Sequence, residues 1–446
     1  LYDGCLTYKK SIGGGTKPVL YPRLLALNVG IDVLLAHVYT GIELKNLGIR
    51  ADQLRVPIMC NAFSIKGETV KEKKHYFGRD FMFSTAGIFQ NLACMIIYNP
   101  DVTGALPIVS QTAPGFVGSI TALNLNGIAA GTDMNPGRMC SIKRPGFNSL
   151  GLVRDSIQYS STMDDYINRI KNAQRGVTWI YPGADGQSGR ACFIEAGKNT
   201  GNTSFPYFDY LPERYKSALK STGLNEQFIA EMETKFGNNP PEKGMMVREG
   251  TYNYPVDYFR FNSALVETYN QTATSPVPEI NTEEYGYINK SRPDDHSQTA
   301  HPGTSDKNCP ATFYFAPQRE NRDDLLIVTN GNLSPEIRLT AMSDWIALLA
   351  GDDINDIQWR YDELNYELLT AMDEAKAGGP LIDETKARQI IDFRAPSEEY
   401  LKTHPDTQIN GSVSLCELKD KVITSHYGYY PDPWVTITLP NYFVSA

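Results

Sequence analysis

An α+β fold, with two antiparallel sheets face to face and helices on their outer sides in an αββα order, is predicted by three features of this 446-residue chain. Between Cys60 and Asp133, short apolar runs are punctuated by Gly, Pro and Asn at the spacing of an antiparallel meander. The period then shifts to that of a helix around residues 161–176, and it returns to strand after residue 411. Strands, then helices, then strands suit one layered domain in which each sheet buries one face on the other and one on helices.

Taken in order, a Gly-rich turn at Gly13–Gly15 precedes a helix predicted over Leu24–Tyr39. Val56–Ser64 reads as a strand, and after a charged turn His75–Phe81 reads as its hairpin partner. Further strands are expected at Cys94–Tyr98, Leu106–Val109, Phe116–Leu123 and Ile128–Gly131. Ser161 or Thr162 caps a helix that places Met163, Tyr166, Ile167 and Ile170 on one face, with Asp164 and Asp165 in its first turn and Gly176 as its stop. Val177–Tyr181 and Arg190–Glu195 read as strands, with a turn expected at the Pro-Gly-Ala-Asp-Gly segment between them. Residues 197–310 are polar and rich in Tyr, Pro, Asn and Gly, and read as a long surface insertion. Strands resume at Thr312–Phe315 and Leu325–Val328, and Ser334-Pro335-Glu336 opens a helix by its N-cap and N1 preferences. A second helix is expected over Ile357–Ala375, then strands at Gly411–Leu415, Val422–Tyr429 and Trp434–Leu439.

Composition excludes several classes. A formal charge of −9 without a basic stripe argues against nucleic acid. The longest apolar run, Leu24–His37, is interrupted by Asn28, Gly30 and Asp32 and is too short and polar to span a bilayer, so no integral membrane segment is expected. Seven cysteines without Cys-x-x-Cys spacing indicate neither a zinc knuckle nor a dense disulfide scaffold. The acidic clusters Asp294-Asp295-His296 and Asp352-Asp353 read as solvated loops, so no metal and no cofactor is expected.

Cys60 carries the chemical interest. Its hairpin is expected to set Arg79 opposite the thiol, and a guanidinium near a thiol favours the thiolate. By itself Cys60 would more readily be read as an inert buried cysteine. Asn330 has the same ambiguity, since Asn330-Gly331-Asn332 is a good turn sequence. Arg360 alone would be a solvated helix arginine.

Four motifs in order bear on these alternatives. Cys60 followed by Gly78-Arg79-Asp80-Phe81-Met82, the segment Thr121–Asp133 (TALNLNGIAAGTD), Val328-Thr329-Asn330 and Arg360-Tyr361 together resemble the N-terminal-nucleophile cysteine amidases. That group takes in choloylglycine hydrolases, penicillin V acylases, acid ceramidase-like amidases and the isopenicillin N acyltransferase group. The resemblance implies the αββα sandwich of N-terminal-nucleophile hydrolases and self-cleavage before Cys60, so that residues 1–59 form an N-terminal segment packed on a catalytic domain of residues 60–446. It implies that the freed α-amine, which titrates near pH 8, takes the thiol proton without a histidine. Arg79 would hold the thiolate and the substrate carbonyl, Asn330 and the backbone N–H of Asp133 would bind the oxyanion, and Arg360 would orient the cluster.

One position departs from the pattern. The carboxylate that the family places three residues after the arginine falls on Met82 here. Asp80 shares strand parity with residue 82 and is expected to substitute through a bulge.

The expected activity is hydrolysis or acyl transfer on a linear non-peptide C–N amide through a Cys60 acyl-enzyme, with a small-molecule amide or N-acyl substrate. A phospholipase B-like lipid deacylase and an inactive secreted structural or binding protein on the same fold are the alternatives. Homo-oligomer formation stays open. The chain opens on Leu1 without a charged and apolar leader; a secreted or periplasmic, cell-envelope location is expected, with a cytoplasmic one also open.

Overall fold

Strands read from the sequence assemble into two antiparallel sheets in a computed structural model, which describes residues 20–39, 59–82, 92–199 (apart from 136, 138, 142, 144 and 145), 244–250, 322–330, 356–392, 411–427 and 433–443. The first sheet contains β1 (Met59–Lys66), β2 (His75–Met82), β11 (Leu325–Val328), β12 (Gly411–Glu417), β13 (Val422–Tyr427) and β14 (Val435–Thr438), in the order β11-β1-β2-β12-β13-β14. The second contains β3 (Cys94–Tyr98), β4 (Ile108–Thr112), β5 (Thr121–Asn124), β6 (Ile128–Gly131), β8 (Trp179–Asp185), β9 (Ala191–Ala196) and β10 (Met245–Glu249), in the order β10-β9-β8-β6-β5-β4-β3. The short β7 (Asp133–Met134) also pairs with β8.

Alternation along the strands decides which residues meet. Ala62, Phe77, Val328 and Cys416 of the first sheet pack with Val109, Leu123, Ala129, Ile180 and Phe193 of the second. Their strand neighbours Phe63, Ile65, Leu325, Ile327 and Leu415 turn the other way, against Tyr361, Leu364, Leu368 and Met372 of α4 (Asp356–Lys376) and Ala387, Ile390 and Ile391 of α5 (Glu384–Ile391). On the second sheet, Ile128, Ala130, Tyr181 and Ile194 meet α2 (Ser149–Gln158) through Leu152, Val153 and Ile157, and α3 (Met163–Asn172) through Met163, Tyr166 and Ile170.

Local chemistry fixes the turns and caps. Thr162 and Asp165 form a reciprocal capping box at the start of α3, as its sequence predicts. In the β5–β6 hairpin, the Asn124 side chain accepts from the N–H groups of Asn126 (3.0 Å) and Ile128 (2.9 Å), and Gly127 takes φ +86°, a left-handed value that favours glycine. This hairpin sets the start of β7 beside β8.

The N-terminal helix α1 (Tyr21–Tyr39) is tied down by polar groups as well as by Leu35 and Ala36. Asn28 donates to the Gly115 carbonyl (2.9 Å) and accepts from the Val117 N–H (2.7 Å). Asp32 accepts from the Ser149 N–H (2.8 Å) and the Trp179 indole N–H (2.7 Å).

Several elements differ from expectation. Helix α2 went unread because Gly151 interrupts its pattern, yet Asn148 caps it by accepting from the Gly151 N–H (2.6 Å). Helix α5 is short and rests on an Asp383 cap that accepts from the Lys386 N–H (3.0 Å). Strand β10 lies inside the stretch read as a surface insertion, where Met245 and Met246 are buried and the strand pairs with β9. Residues 56–58, the strand Thr312–Phe315, the helix at Ser334 and both acidic clusters fall outside the described residues, as does most of 197–310. Among the described residues no helix is long and apolar enough to cross a membrane.

Candidate active site

Cys60 sits on β1, wholly buried, and faces the space between the two sheets with Ala62. The residue directly across from it on β2 is Phe81, and Arg79 pairs with Ala62. The expected Arg79–Cys60 opposition is therefore corrected to a diagonal: both side chains project from the same face, two positions apart, since side chains alternate along a strand. Gly78 lets the Phe63 ring lie against the strand on its other face, where a Cβ would meet that ring at 2.5 Å. Gly131 makes room for Arg79 itself, because a Cβ there would run into Nε of the guanidinium.

The β1–β11 register aligns Ala62 with Val328, so continuing by two residues brings Asn330 across from Cys60. Asn330 accepts the Cys60 N–H at Oδ1 (2.7 Å) and donates through Nδ2 to the Met134 carbonyl (2.7 Å). Its oxygen also accepts from Arg360 Nη2 (3.0 Å), and two donors on one oxygen fix the orientation of the amide. Arg360 leads the buried stripe of α4 that continues through Leu364 and Leu368. From there Nη1 reaches the Cys60 carbonyl and Asn61 Oδ1, each at 2.7 Å. Buried Arg360 thus orients the backbone of the cysteine and the asparagine beside it, and the solvated-helix alternative is ruled out by its position.

Asp133 is also wholly buried, with Oδ1 at 2.5 Å from Arg79 Nη1. Burial pushes its carboxyl up to about 6, against the pull of Arg79 and Arg360. The Cys60 thiol is likewise pushed up, first by burial and then by the Asp133 charge. Arg79 and hydrogen bonds from the Met134 backbone and the Asn330 side chain offset only part of that. The expectation that Arg79 makes this thiol acidic is corrected accordingly: desolvation outweighs the guanidinium in the closed site.

The structure brings Cys60, Arg79, Asp133, Asn330 and Arg360 together. It separates Asp80, which pairs with Asn61 in an unbroken register on the face opposite Cys60, so no bulge turns its carboxylate toward the thiol. The backbone group that faces the sulfur belongs to Met134, one residue beyond the expected Asp133. Asn61 and Met134 went unread because each enters through strand pairing and a carbonyl rather than through a motif. A groove of about 900 Å³ lies elsewhere, along α2 and α3 at Phe147, Asp155, Tyr159 and Arg169, and contains none of these residues.

No family model matches the chain. It is 24% identical over 415 residues to an uncharacterized protein of Archaeoglobus fulgidus, a match that takes in 93% of this chain and 50% of the other. The chain thus spans about half the length of the curated relative it matches. Among solved structures it is similar to a variant of conjugated bile acid hydrolase from Clostridium perfringens, at 10% identity and a TM-score of 0.40 over 86% of this chain and 93% of that one. Penicillin V acylase from Agrobacterium tumefaciens matches at 9% identity and a TM-score of 0.32 over 85% and 86%. An ortholog of N-acylethanolamine-hydrolyzing acid amidase from Caenorhabditis elegans matches at 11% and 0.26, over 30% of this chain and 59% of the other. All three are members of the N-terminal-nucleophile hydrolase superfamily, the one the motifs resemble.

Proposed function

We propose that this chain is a hydrolase or acyltransferase of linear C–N amides that works through a Cys60 acyl-enzyme on a four-layer αββα scaffold. The observation that carries the reading is the convergence on Cys60 of Asn330, Arg360, Arg79 and Asp133 from β11 and its end, α4, β2 and β7. Buried charged groups are costly unless used or paired, and here they surround one thiol.

In this mechanism the thiol sulfur attacks the substrate carbonyl carbon. The Asn330 amide and the Met134 backbone, which already face the sulfur, stabilise the oxyanion. The C–N bond then breaks, the amine departs with a proton, and water or a second amine takes the acyl group. Cleavage of the Met59–Cys60 bond would supply the α-amine as base and divide the chain into the 1–59 segment and the 60–446 catalytic domain. Asn28 and Asp32 of α1 would keep the smaller piece attached.

A second reading, an inactive binding scaffold, is favoured by the upward push on the Cys60 thiol. A thiol-directed acyl analogue followed by intact mass separates the two. Covalent acylation of Cys60 supports the enzyme, and an unmodified chain defeats it.

A further inference from the structure

Asp133 is a carboxylate that the expected chemistry leaves without a task. It lies on β7, which contacts β1, and pairs through its backbone with Ile180 of β8. Arg79 Nη1 lies 2.5 Å from Oδ1 and pairs with it while also donating to the Asp80 carbonyl (2.9 Å), and Oδ2 accepts no hydrogen bond among the described residues. A wholly buried carboxylate with an unpartnered oxygen is costly, and its place in the shell of a buried thiol calls for a task. Its chain neighbour Met134 faces the Cys60 sulfur and is bonded to Asn330, so the carboxylate belongs to the same shell.

The need for such a group is chemical. In the uncleaved chain the Cys60 nitrogen is an amide whose N–H donates to Asn330, and its lone pair is delocalised into the Met59 carbonyl and is not basic. The sequence position that would supply a helper carboxylate holds Met82, and Asp80 faces away. Resting on the reading of Cys60 as nucleophile, we propose that the Asp133 carboxylate is the proton acceptor of the Cys60 thiol in the uncleaved chain.

Asp133 takes the Sγ proton, and the sulfur adds to the Met59 carbonyl carbon. The C–N bond to Cys60 breaks as its nitrogen receives the proton back from Asp133, leaving a thioester and a free amine. Water then hydrolyses the thioester, restoring the thiol and giving Met59 a carboxylate. Arg79 holds Asp133 in its charged form. With a carboxyl near 6, Asp133 is ionised at neutral pH and still basic enough to be useful. The groups facing it are Arg79 of β2, Arg360 of α4, the Cys60 thiol of β1 and the neutral Tyr166 of α3.

The test uses the full chain with two readouts: cleavage at Met59–Cys60 by intact mass over time, and the rate of Cys60 alkylation by iodoacetamide. Asp133→Asn should slow both by about a hundredfold or more and abolish the rise in rate as pH passes about 6. If Asp133 acts only as a repelling charge, Asp133→Asn lowers the thiol pKa and speeds alkylation; that result, or an unchanged rate, overturns the proposal. Should Asp133→Asn fail to fold by circular dichroism, Asp133→Glu decides, with a shifted alkylation pH profile in support and an unshifted one against. Failure of the amidase reading looks different. There the wild-type chain stays uncleaved and ignores the acyl analogue, while Asp133→Asn still slows alkylation, and the assignment of Asp133 stands.

Discussion

Asp32 and Asp133 are two buried aspartates whose carboxyls are both pushed up to about 6, yet they sit in opposite kinds of surroundings. For both, desolvation is the largest cause. What offsets it differs. Asp32 is met by directed donors, the Ser149 N–H, the Ser149 hydroxyl (3.3 Å) and the Trp179 indole, and it fastens α1 to α2 and β8. Asp133 is offset first by the charges of Arg79 and Arg360 and then by a hydrogen bond from Arg79, and its Oδ2 accepts no hydrogen bond among the described residues. A similar pKa therefore arises in a tether of directed donors and beside two buried guanidinium groups, and the hydrogen-bond inventory tells them apart where the titration does not.

The cysteines offer the largest test of that contrast. Cys60→Ala should abolish acylation by a thiol-directed substrate analogue and all amide turnover. Cys140→Ala should retain both, because Cys140 is held by Gly137 and Thr178 and its thiol is pushed up to about 11. Turnover surviving in Cys60→Ala would break the division between reactive and structural groups.

Next in size is Asn330→Ala. Loss of an oxyanion donor should cost roughly a hundredfold in turnover. The structure adds a stability cost of about 1–3 kcal/mol, since Arg360 and the Cys60 N–H both lose their acceptor. Steady-state kinetics beside urea unfolding would show the two losses together. An unchanged rate with reduced stability would move Asn330 to the structural side.

Asp32→Ala should lower stability by about 2 kcal/mol or more, through the unsatisfied Ser149 and Trp179 donors, and leave the alkylation rate of Cys60 unchanged. A change in that rate would mean that the tether and the site are coupled.

The smallest effect is in pH. A carboxyl raised from 3.8 to about 6 binds protons more tightly in the folded state, so its contribution is present at low pH and is lost as pH rises through about 6. Relative to Asp32→Asn, the wild-type chain should lose urea resistance across that window. Using the difference removes the opposing contribution of buried His75, whose pKa is lowered to about 3 and which costs stability as pH falls.

Much of the site was legible as residue types in order. Cys60, Arg79, Asp133, Asn330 and Arg360 are each marked by a local motif, but it takes the pairing register together with strand alternation to place Cys60 and Arg79 on one face. The hairpin of β1 and β2, the capped helix α3 and the helix α4 were equally readable, because their signals lie within a few residues of one another. Helix α2 was hidden by Gly151, and β10 by the polarity of the segments around it.

The sequence by itself determined the layered α+β class, the candidate nucleophile and the absence of a carboxylate at position 82. Only the tertiary structure decided that Phe81 rather than Arg79 lies across from Cys60, that Asp80 faces away, and that Asp133 joins the shell through its carboxylate. The physical reason is register and burial. Pairing offsets between strands far apart in the chain choose which side chains meet, and exclusion of water sets whether a charge next to a thiol outweighs the cost of desolvating it. Neither quantity is carried by any short stretch of residues.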